Sequence, residues 1–441
     1  MRRRLLTAAA VAGVAAAAIG LYFIDGFSVR TSWIVSVPSK INDAQCQALA
    51  ASRFEPHVAQ EGVARSKLDP TKAIPACRAA LRDDPNSPAT KFRLARALEI
   101  AKSYGEAFRL YTGSAQQGYA AAQGGLGQMY EHGRGVVQNY ATAADWYLKA
   151  ADQNNPPAQD ALGALYQLGH GVTQDFVQAA AWYRKAADNG YGTAEINLGS
   201  LYLTGHGVTR DMTQAAFWYR KAAEGGVGQA QHNLGLMYAT GQGVRRDDVQ
   251  AITWFRKAAG QDVHESQFNL SLMYERGQGV PRDHTQALAW LRKAADGGLG
   301  PAQNNLGASY ENQTPPDDRM ALSWYRKGAS QGDGTAEYNL GRFYGAGRAV
   351  PRDHTIALGW FRRAAAHGYA PAAKVVRVLT RGPARGRRGF TLGNLISAFF
   401  RGYNSSNGDA HWDDQYWRDV AADHARQENE AAEAEMNAPR E

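Results

Sequence analysis

Apolar and polar residues along this chain follow a helical period inside each of a series of similar segments. In the clearest segment Leu198 and Tyr202 are four residues apart, which places them on one face of a helix with Gly199 beside them. The pattern returns at a nearly constant spacing, and one tryptophan marks each copy: Trp146, Trp182, Trp218, Trp254, Trp290, Trp324 and Trp360. The spacing is 36 residues, except for 34 between Trp290 and Trp324. A fixed period of this length predicts a stack of similar units rather than one globular core.

A glycine follows the leucine of the first helix in six of the seven copies, although a glycine inside a helix costs about 1 kcal/mol relative to alanine. We therefore expect the two helices of a unit to approach closely there. The positions are Gly127, Gly163, Gly199, Gly235, Gly307 and Gly341, and Ser271 stands in the fifth copy.

Turn and capping signals divide each copy into two helices. A Gly-x-Gly-Val sequence ends the first helix, because glycine adopts the left-handed conformation readily; it starts at Gly133, Gly169, Gly205, Gly241 and Gly277, and is degenerate at Gly347. Three residues after the valine an N-cap side chain begins the second helix: Asn139, Asp175, Asp211, Asp247, Asp283 or Asp353. The sixth copy reads Asn312-Gln-Thr-Pro-Pro316 instead, where we expect a kink or an altered groove.

These residues resemble the Sel1-like repeat family, which is related to tetratricopeptide repeats. The resemblance covers about 250 of 441 residues. It implies an all-α solenoid of stacked antiparallel helix pairs, with seven repeats and a terminal cap helix over residues 120–379. It also implies a protein-binding scaffold, used in bacterial signalling, polysaccharide regulation, envelope assembly or host contact.

The N-terminus predicts export. Three arginines, Arg2 to Arg4, precede the uncharged run Leu5–Ile24, which is long enough to cross a bilayer as a helix. We favour an uncleaved anchor within residues 1–24 over a cleaved signal peptide, because the apolar run exceeds the usual signal core. With the arginines on the cytoplasmic side, the repeats are expected in the periplasm, attached to the inner membrane or released into the periplasm after cleavage.

Residues 25–85 lack the repeat signature and contain the two cysteines of the chain, Cys46 and Cys77. In an exported chain a single pair predicts one disulfide. A metal site would need more ligands than two cysteines and the nearby His57. No motif places a base next to either cysteine, so we expect no catalytic thiol.

Residues 86–119 read as a divergent tetratricopeptide-like repeat that caps the stack, or as a separate docking site. Residues 380–441 contain a basic linker, an apolar helix at Phe390–Phe400 and an acidic tail that we expect to be solvated. The apolar helix is expected to fold back onto the last repeat, with contact to a membrane surface or a partner as the alternative.

The formal net charge is +8. An exported chain rarely meets nucleic acid, so we expect no nucleic-acid ligand. Five of the seven second helices have an Arg-Lys pair near their C-terminal end, such as Arg220-Lys221, where it favours the helix dipole. A basic ridge for an acidic partner or an anionic polysaccharide is the alternative interpretation.

Side chains of the first helices that lie outside the leucine-glycine-tyrosine face are expected to face the groove. The candidates for partner contact are Ile196, His232, Leu236, Phe268, Leu272, Glu275, Arg276, Tyr338 and Arg342. Leu236, Phe268 and Leu272 would form an apolar patch for a peptide, unless they belong to the core.

A column of asparagines precedes the leucines: Asn197, Asn233, Asn269, Asn305 and Asn339. Amide side chains both donate and accept, so a row of them could hold the backbone of a peptide. The alternative, that each asparagine ties down a neighbouring turn, fits their strict recurrence better.

The sequence contains no phosphate loop, nucleophile elbow, catalytic carboxylate pair or zinc-binding helix, so we expect neither a cofactor nor a bound metal. We interpret the chain as a non-enzymatic adaptor that binds an envelope protein at the outer face of the inner membrane. A cell-wall or polysaccharide binder is the alternative. A penicillin-binding or penicillin-hydrolysing enzyme is less favoured, since the relatives linked to that activity have cysteines throughout their repeats and this stack has none.

Overall fold

The structure, a computed structural model, describes residues 39–55 and 63–381. Over these ranges the chain is all-α, with nineteen α-helices, a 3-10 helix at Arg65–Lys67 and no strand, as the repeat pattern predicts. None of the described helices is both long and apolar enough for a membrane span. The predicted anchor Leu5–Ile24 and the segments after residue 381 lie outside the described residues.

The helices fall into pairs joined by short turns. The leader and the cap contain α1 Ser39–Ala50, α2 Pro70–Asp83, α3 Pro88–Ile100 and α4 Tyr104–Ala115. Repeats 1 to 4 are α5 Ala120–His132 with α6 Tyr140–Ala151, α7 Pro156–Leu168 with α8 Phe176–Asp188, α9 Gly192–Thr204 with α10 Met212–Glu224, and α11 Gly228–Thr240 with α12 Asp248–Ala259. Repeats 5 to 7 are α13 His264–Arg276 with α14 His284–Asp296, α15 Gly300–Glu311 with α16 Asp318–Ser330, and α17 Gly334–Ala346 with α18 His354–Ala366, before α19 Ala370–Arg381.

Local signals set the ends of these helices. In repeats 1 to 5 and 7 the first helix ends at a glycine in the left-handed region, for example Gly205 at φ 83°. Each predicted aspartate or asparagine caps the second helix, as where Asp211 accepts hydrogen bonds from the amides of Thr213 and Gln214 at 2.8 and 3.0 Å. In repeat 6 the first helix ends at Asn312 without a left-handed glycine, and Asp317 supplies the cap.

Within six of the seven repeats the glycine of the first helix packs against an aromatic ring of the second helix. A Cβ added at these glycines would lie 2.5 to 2.8 Å from the ring, so only glycine admits it. The rings are Tyr147, Tyr183, Tyr219, Phe255, Tyr325 and Phe361, each directly after the repeat tryptophan. The expected close approach is therefore confirmed, and the ring explains its recurrence.

The Arg-Lys pairs connect elements of the stack. Each lysine lies over the ring of the tryptophan three residues earlier, with Nζ 3.6 to 4.9 Å from the ring centroid. Each arginine donates to the hydroxyl of a tyrosine on the first helix of the next repeat, as from Arg220 to Tyr238 at 3.1 Å and from Arg326 to Tyr344 at 3.0 Å. These cations join neighbouring repeats, beyond their expected role at helix ends.

A column of buried glutamines joins five of the seven repeats to the unit before it. Each side-chain amide donates to a backbone carbonyl eight residues earlier, at the end of the preceding helix, at 3.0 to 3.3 Å. The glutamines are Gln123, Gln159, Gln231, Gln267 and Gln303. In repeat 3 the column has Glu195, which cannot donate as a carboxylate. There the Lys221 ammonium donates to the backbone carbonyl instead, 2.6 Å from the Ala187 oxygen, and it also pairs with Glu195 at 3.1 Å.

Lys221→Met is expected to lower the free energy of unfolding by about 2 to 3 kcal/mol, because it leaves the Glu195 carboxylate buried without a cation. The matched control is Lys257→Met, which also removes a lysine from a tryptophan ring. The column residue of its repeat is Gln231, which leaves no carboxylate unpaired, so this variant should cost under about 1 kcal/mol. Glu195→Gln in the Lys221→Met background should restore most of the loss. Chemical denaturation of the four proteins measures these differences, and equal losses for the two lysines would contradict the argument.

The leader is tied to the capping repeat. The predicted disulfide between Cys46 and Cys77 is present, joining α1 to α2 with 4.6 Å between the Cα atoms. Both cysteines are fully buried. Arg96 donates to the carbonyls of Ala50 and Val63, at 2.9 and 2.6 Å, so it holds both sides of the connection between α1 and α2.

The residues directly after α1 reach the face of the stack that the first helices of the repeats form. The buried Glu55 carboxylate accepts from Arg93 and from the Tyr119 hydroxyl, both at 2.9 Å. Next to it the Phe54 ring contacts Tyr191, the residue before α9, with ring centroids 5.4 Å apart. The residues after α1 therefore contact α3, the residue before α5 and the residue before α9.

Candidate partner-binding cleft

Repeat 5 departs from the glycine-ring contact at both positions. Ser271 replaces the glycine of the first helix, and Leu291 replaces the aromatic residue after the tryptophan. Leucine is much smaller than tyrosine, and the serine side chain turns back to donate to the Phe268 carbonyl at 2.7 Å. The ring that the other six repeats place between these two positions is therefore absent here.

A cleft of about 800 Å³ occupies this position, between α13, α14 and α15. Its apolar lining comes from Leu272, Leu288 and Leu291, all of which remain partly exposed. Asn304 and Asn305 line it on the side of repeat 6. An apolar floor with polar groups around it is the usual composition of a ligand or peptide pocket.

The edge of the cleft carries charged residues. Glu275 accepts from Arg282 at 2.8 Å and lies 2.7 Å from Nδ1 of His284. Burial raises the pKa of the Glu275 carboxyl, but the bonds from Arg282 and His284 outweigh it and hold the pKa below its ordinary value. Arg276 also lines the cleft. The described edge therefore has more positive than negative charge.

A second ion-pair cluster supports the wall formed by repeats 6 and 7. Glu311 accepts from Arg342 at 3.1 Å and from the Tyr325 hydroxyl at 2.6 Å, and it also bonds Arg348. Burial raises the pKa of Glu311, yet Arg342, Tyr325 and Arg348 bring it below its ordinary value. Arg348 also pairs with Asp318 and so links the two repeats.

The altered turn of repeat 6 borders the same cleft. Its Asn312 and Gln313 line the opening, and the Thr314-Pro315 bond is cis. The expected change of the groove at this turn is therefore located beside the repeat that lacks the ring.

Five of the residues assigned to partner contact line this cleft: Leu272, Glu275, Arg276, Asn305 and Asn339. Arg342 lies behind it, where it donates to Asn339 at 2.9 Å. The sequence reasoning missed Leu288 and Leu291, because it looked for groove residues on first helices only. Their signal was a leucine in a column of aromatic residues, paired with the one serine in a column of glycines.

The structure buries most of the other assigned residues in packing between repeats. His232, Phe268 and Tyr338 are 2, 7 and 4% exposed, although their positions were expected to face the groove. The reason is that a side chain two residues before the leucine leans towards the next repeat, as where His232 Nδ1 lies 2.8 Å from the Ser266 hydroxyl. Their observed role is in the core, and partner contact through them stays a prediction.

Leu236 and Asn233 are nearly buried and line only a recess of about 30 Å³. Ile196 is partly buried and packs beside repeat 4. Neither position borders the large cleft.

The asparagine column makes different contacts in different repeats. Asn197 donates to Asp160 of the preceding repeat at 2.9 Å, and Asn339 donates to Asn304 at 2.8 Å. Burial raises the pKa of Asp160 to about 7, while the bond from Asn197 lowers it by less. Asn269 is 4% exposed. Bonds between repeats fit the structural interpretation of the column, and binding to a peptide backbone remains open at Asn305.

The Sel1 repeat family model matches seven consecutive segments, residues 120–155, 156–191, 192–227, 228–263, 264–299, 300–333 and 334–369. A protective antigen of uropathogenic Escherichia coli strains, with an SLR fold, is 30% identical over 82% of this chain and 81% of its own, with a TM-score of 0.58. A Sel1 repeat protein from Oxalobacter formigenes is 29% identical over 82% and 97%, with a TM-score of 0.54. The curated proteins include no significant match.

Proposed function

This chain belongs to the Sel1 repeat family, whose members generally mediate protein–protein interactions, and from that premise we propose that it is a non-enzymatic adaptor of the bacterial cell envelope. It holds a peptide segment of an envelope protein in the cleft between α13, α14 and α15. The observation that carries the proposal is this cleft, where repeat 5 departs from the packing of the other repeats.

The cleft also indicates the chemistry of the bound segment. Its partly exposed leucines favour an apolar side chain, since burial of such a group contributes about 25 cal/mol for each Å² removed from water. The positive charge of Arg276 and Arg282 favours an acidic residue next to that side chain. The partner segment therefore combines an apolar anchor with an acidic neighbour.

The proposed location rests on the sequence. The run Leu5–Ile24 behind three arginines anchors the chain in the inner membrane, with its repeats on the periplasmic side. The buried disulfide of the leader supports this location, because disulfides persist in the periplasm and are rare in the cytosol.

A polysaccharide ligand is less well supported than a protein. It would require free cations along the stack, whereas the arginines of the pairs bond tyrosines and the lysines cover tryptophan rings.

The test is photocrosslinking in cells with a photoreactive side chain at Leu272 in the cleft. Val249 on α12 provides the control, since it is 60% exposed and lies outside the cleft. We expect a discrete envelope protein to be trapped from Leu272 with at least about tenfold higher yield than from Val249.

The charge-introducing variant Leu288→Glu should abolish this trapping, because it places a carboxylate on the apolar floor. Its thermal midpoint should stay close to that of the unchanged chain, since Leu288 is partly exposed. Equal trapping from both photoreactive sites, or trapping that survives Leu288→Glu, would rule out the cleft as the binding site.

A further inference from the structure

We propose that the cleft of repeat 5 binds a tyrosine side chain of the partner, whose hydroxyl bonds the acceptor Glu275 that no ring of this repeat uses. The inference rests on the proposed function and makes it more specific, because it names the side chain that is recognised. Three positions in the repeat carry it: the glycine position, the ring position and a hydrogen-bond acceptor on the first helix.

The acceptor position distinguishes tyrosine repeats from phenylalanine repeats. In repeats 1, 2 and 6 the ring residue is a tyrosine, and its hydroxyl donates to the residue five places after the leucine. These acceptors are Glu131, Gln167 and Glu311. The distances are 2.5, 3.0 and 2.6 Å. A buried phenol needs such a partner, because an unpaired polar group in the core is costly.

The phenylalanine repeats lack that acceptor. Repeat 4 has Phe255 with Ala239 at the acceptor position, and repeat 7 has Phe361 with Gly345. Repeat 3 is a variant in which the Tyr219 hydroxyl bonds Ser200 at 2.9 Å and Leu203 occupies the usual position. An acceptor on the first helix thus accompanies each tyrosine and is absent opposite each phenylalanine.

Repeat 5 has the acceptor without the tyrosine. Glu275 stands five places after Leu270, where Glu131, Gln167 and Glu311 stand in their repeats, but the ring residue is Leu291. Its carboxylate bonds Arg282 and His284 at the edge of the cleft instead. A carboxylate has room for several donors, so these two bonds leave it able to accept a phenol hydroxyl as well.

The other walls suit a ring. Leu272, Leu288 and Leu291 provide apolar contact on the floor, and the cleft of about 800 Å³ exceeds the volume of a tyrosine side chain. Arg276 and Arg282 lie beside the acceptor, so an acidic residue adjacent to the tyrosine would also be favoured.

The test uses the full-length chain and three small probes: the N-acetyl amides of tyrosine, phenylalanine and leucine. Ligand-observed NMR titration should show the tyrosine probe binding about tenfold more tightly than the phenylalanine probe, because only the phenol reaches Glu275. The leucine probe should bind more weakly than both, since it cannot occupy the space of a ring.

Two variants distinguish specific recognition of tyrosine from nonspecific apolar binding. Glu275→Ala should reduce the preference for tyrosine over phenylalanine from about tenfold to near unity, and Ala239 shows that an alanine fits at this position of a repeat. The double variant Ser271→Gly with Leu291→Tyr places a ring of the chain itself in the cleft. It should abolish binding of all three probes and raise the thermal midpoint, because it fills an open space.

Three results would overturn the inference: no binding of the tyrosine probe, an unchanged preference in Glu275→Ala, or unchanged binding in the double variant. These results are distinct from failure of the proposed function. If the Leu272 photoreactive chain traps a partner while the probes do not bind, the adaptor function stands and the tyrosine inference falls.

Discussion

Gly207→Ala is expected to lower the free energy of unfolding by about 3 to 5 kcal/mol, through backbone strain together with a steric clash. Gly207 has φ 69°, a left-handed conformation that costs an alanine about 1 to 2 kcal/mol. An added Cβ would lie 2.0 Å from the Phe176 carbonyl oxygen at the start of α8. That atom belongs to the backbone of the preceding repeat, so it cannot move aside as a flexible side chain would.

The matched control is Gly226→Ala, because Gly226 also has a positive φ, of 88°, but nothing within 4 Å of the added Cβ. It should cost about 1 kcal/mol, so the difference between the two variants measures the clash alone. Ala349 stands at the matching position of repeat 7 with φ 55°, so an alanine is held there in the left-handed conformation. Urea denaturation gives the free energy of unfolding of both variants. Similar losses would show that the contact between repeats adjusts to the added Cβ at little cost.

Replacing both Cys46 and Cys77 with alanine should lower the free energy of unfolding of the leader by about 3 to 4 kcal/mol. The two residues are 31 positions apart, and the entropy of the open chain gives a loss of this size. Because repeats contact mainly their neighbours, the effect should be confined to the leader and the capping repeat.

Hydrogen exchange resolves where the loss occurs. The amides of α1 and α2 should exchange much faster in the double variant, while those of α9 to α17 should keep their protection. Reductant should reproduce the effect in the unchanged chain and have none in the variant. A uniform loss of protection along the whole stack would show that the leader and the repeats unfold as one unit.

The helix pairs were predictable because their signals are local. Asp211 can cap α10 from its own position in the chain, and Gly205 can end α9 by adopting a left-handed conformation. The recurring glycines also pointed to close packing. The identity of the partner ring was not deduced, since it follows the tryptophan in a different helix.

The candidate site was harder to predict because it depends on what neighbouring repeats bury. Phe268 and Tyr338 were assigned to a groove from their place on a first helix, yet each packs between repeats. Conversely, the open space beside Leu291 results from the side chain that is missing rather than from one that is present. Helical periodicity alone does not reveal such a vacancy, although the alignment of the repeats with one another does.

The bonds between arginine and tyrosine also bear on how such a chain can change in length. Each of these arginines bonds the next repeat through the same pair of atoms. A duplicated unit of 36 residues would therefore make the same bonds to both of its neighbours. Recombination within repeats 2 to 4 would then lengthen or shorten the stack while leaving the tyrosine-binding cleft intact. A crossover between α13 and α15 would destroy it, so we expect natural length variants to differ on the N-terminal side of that junction.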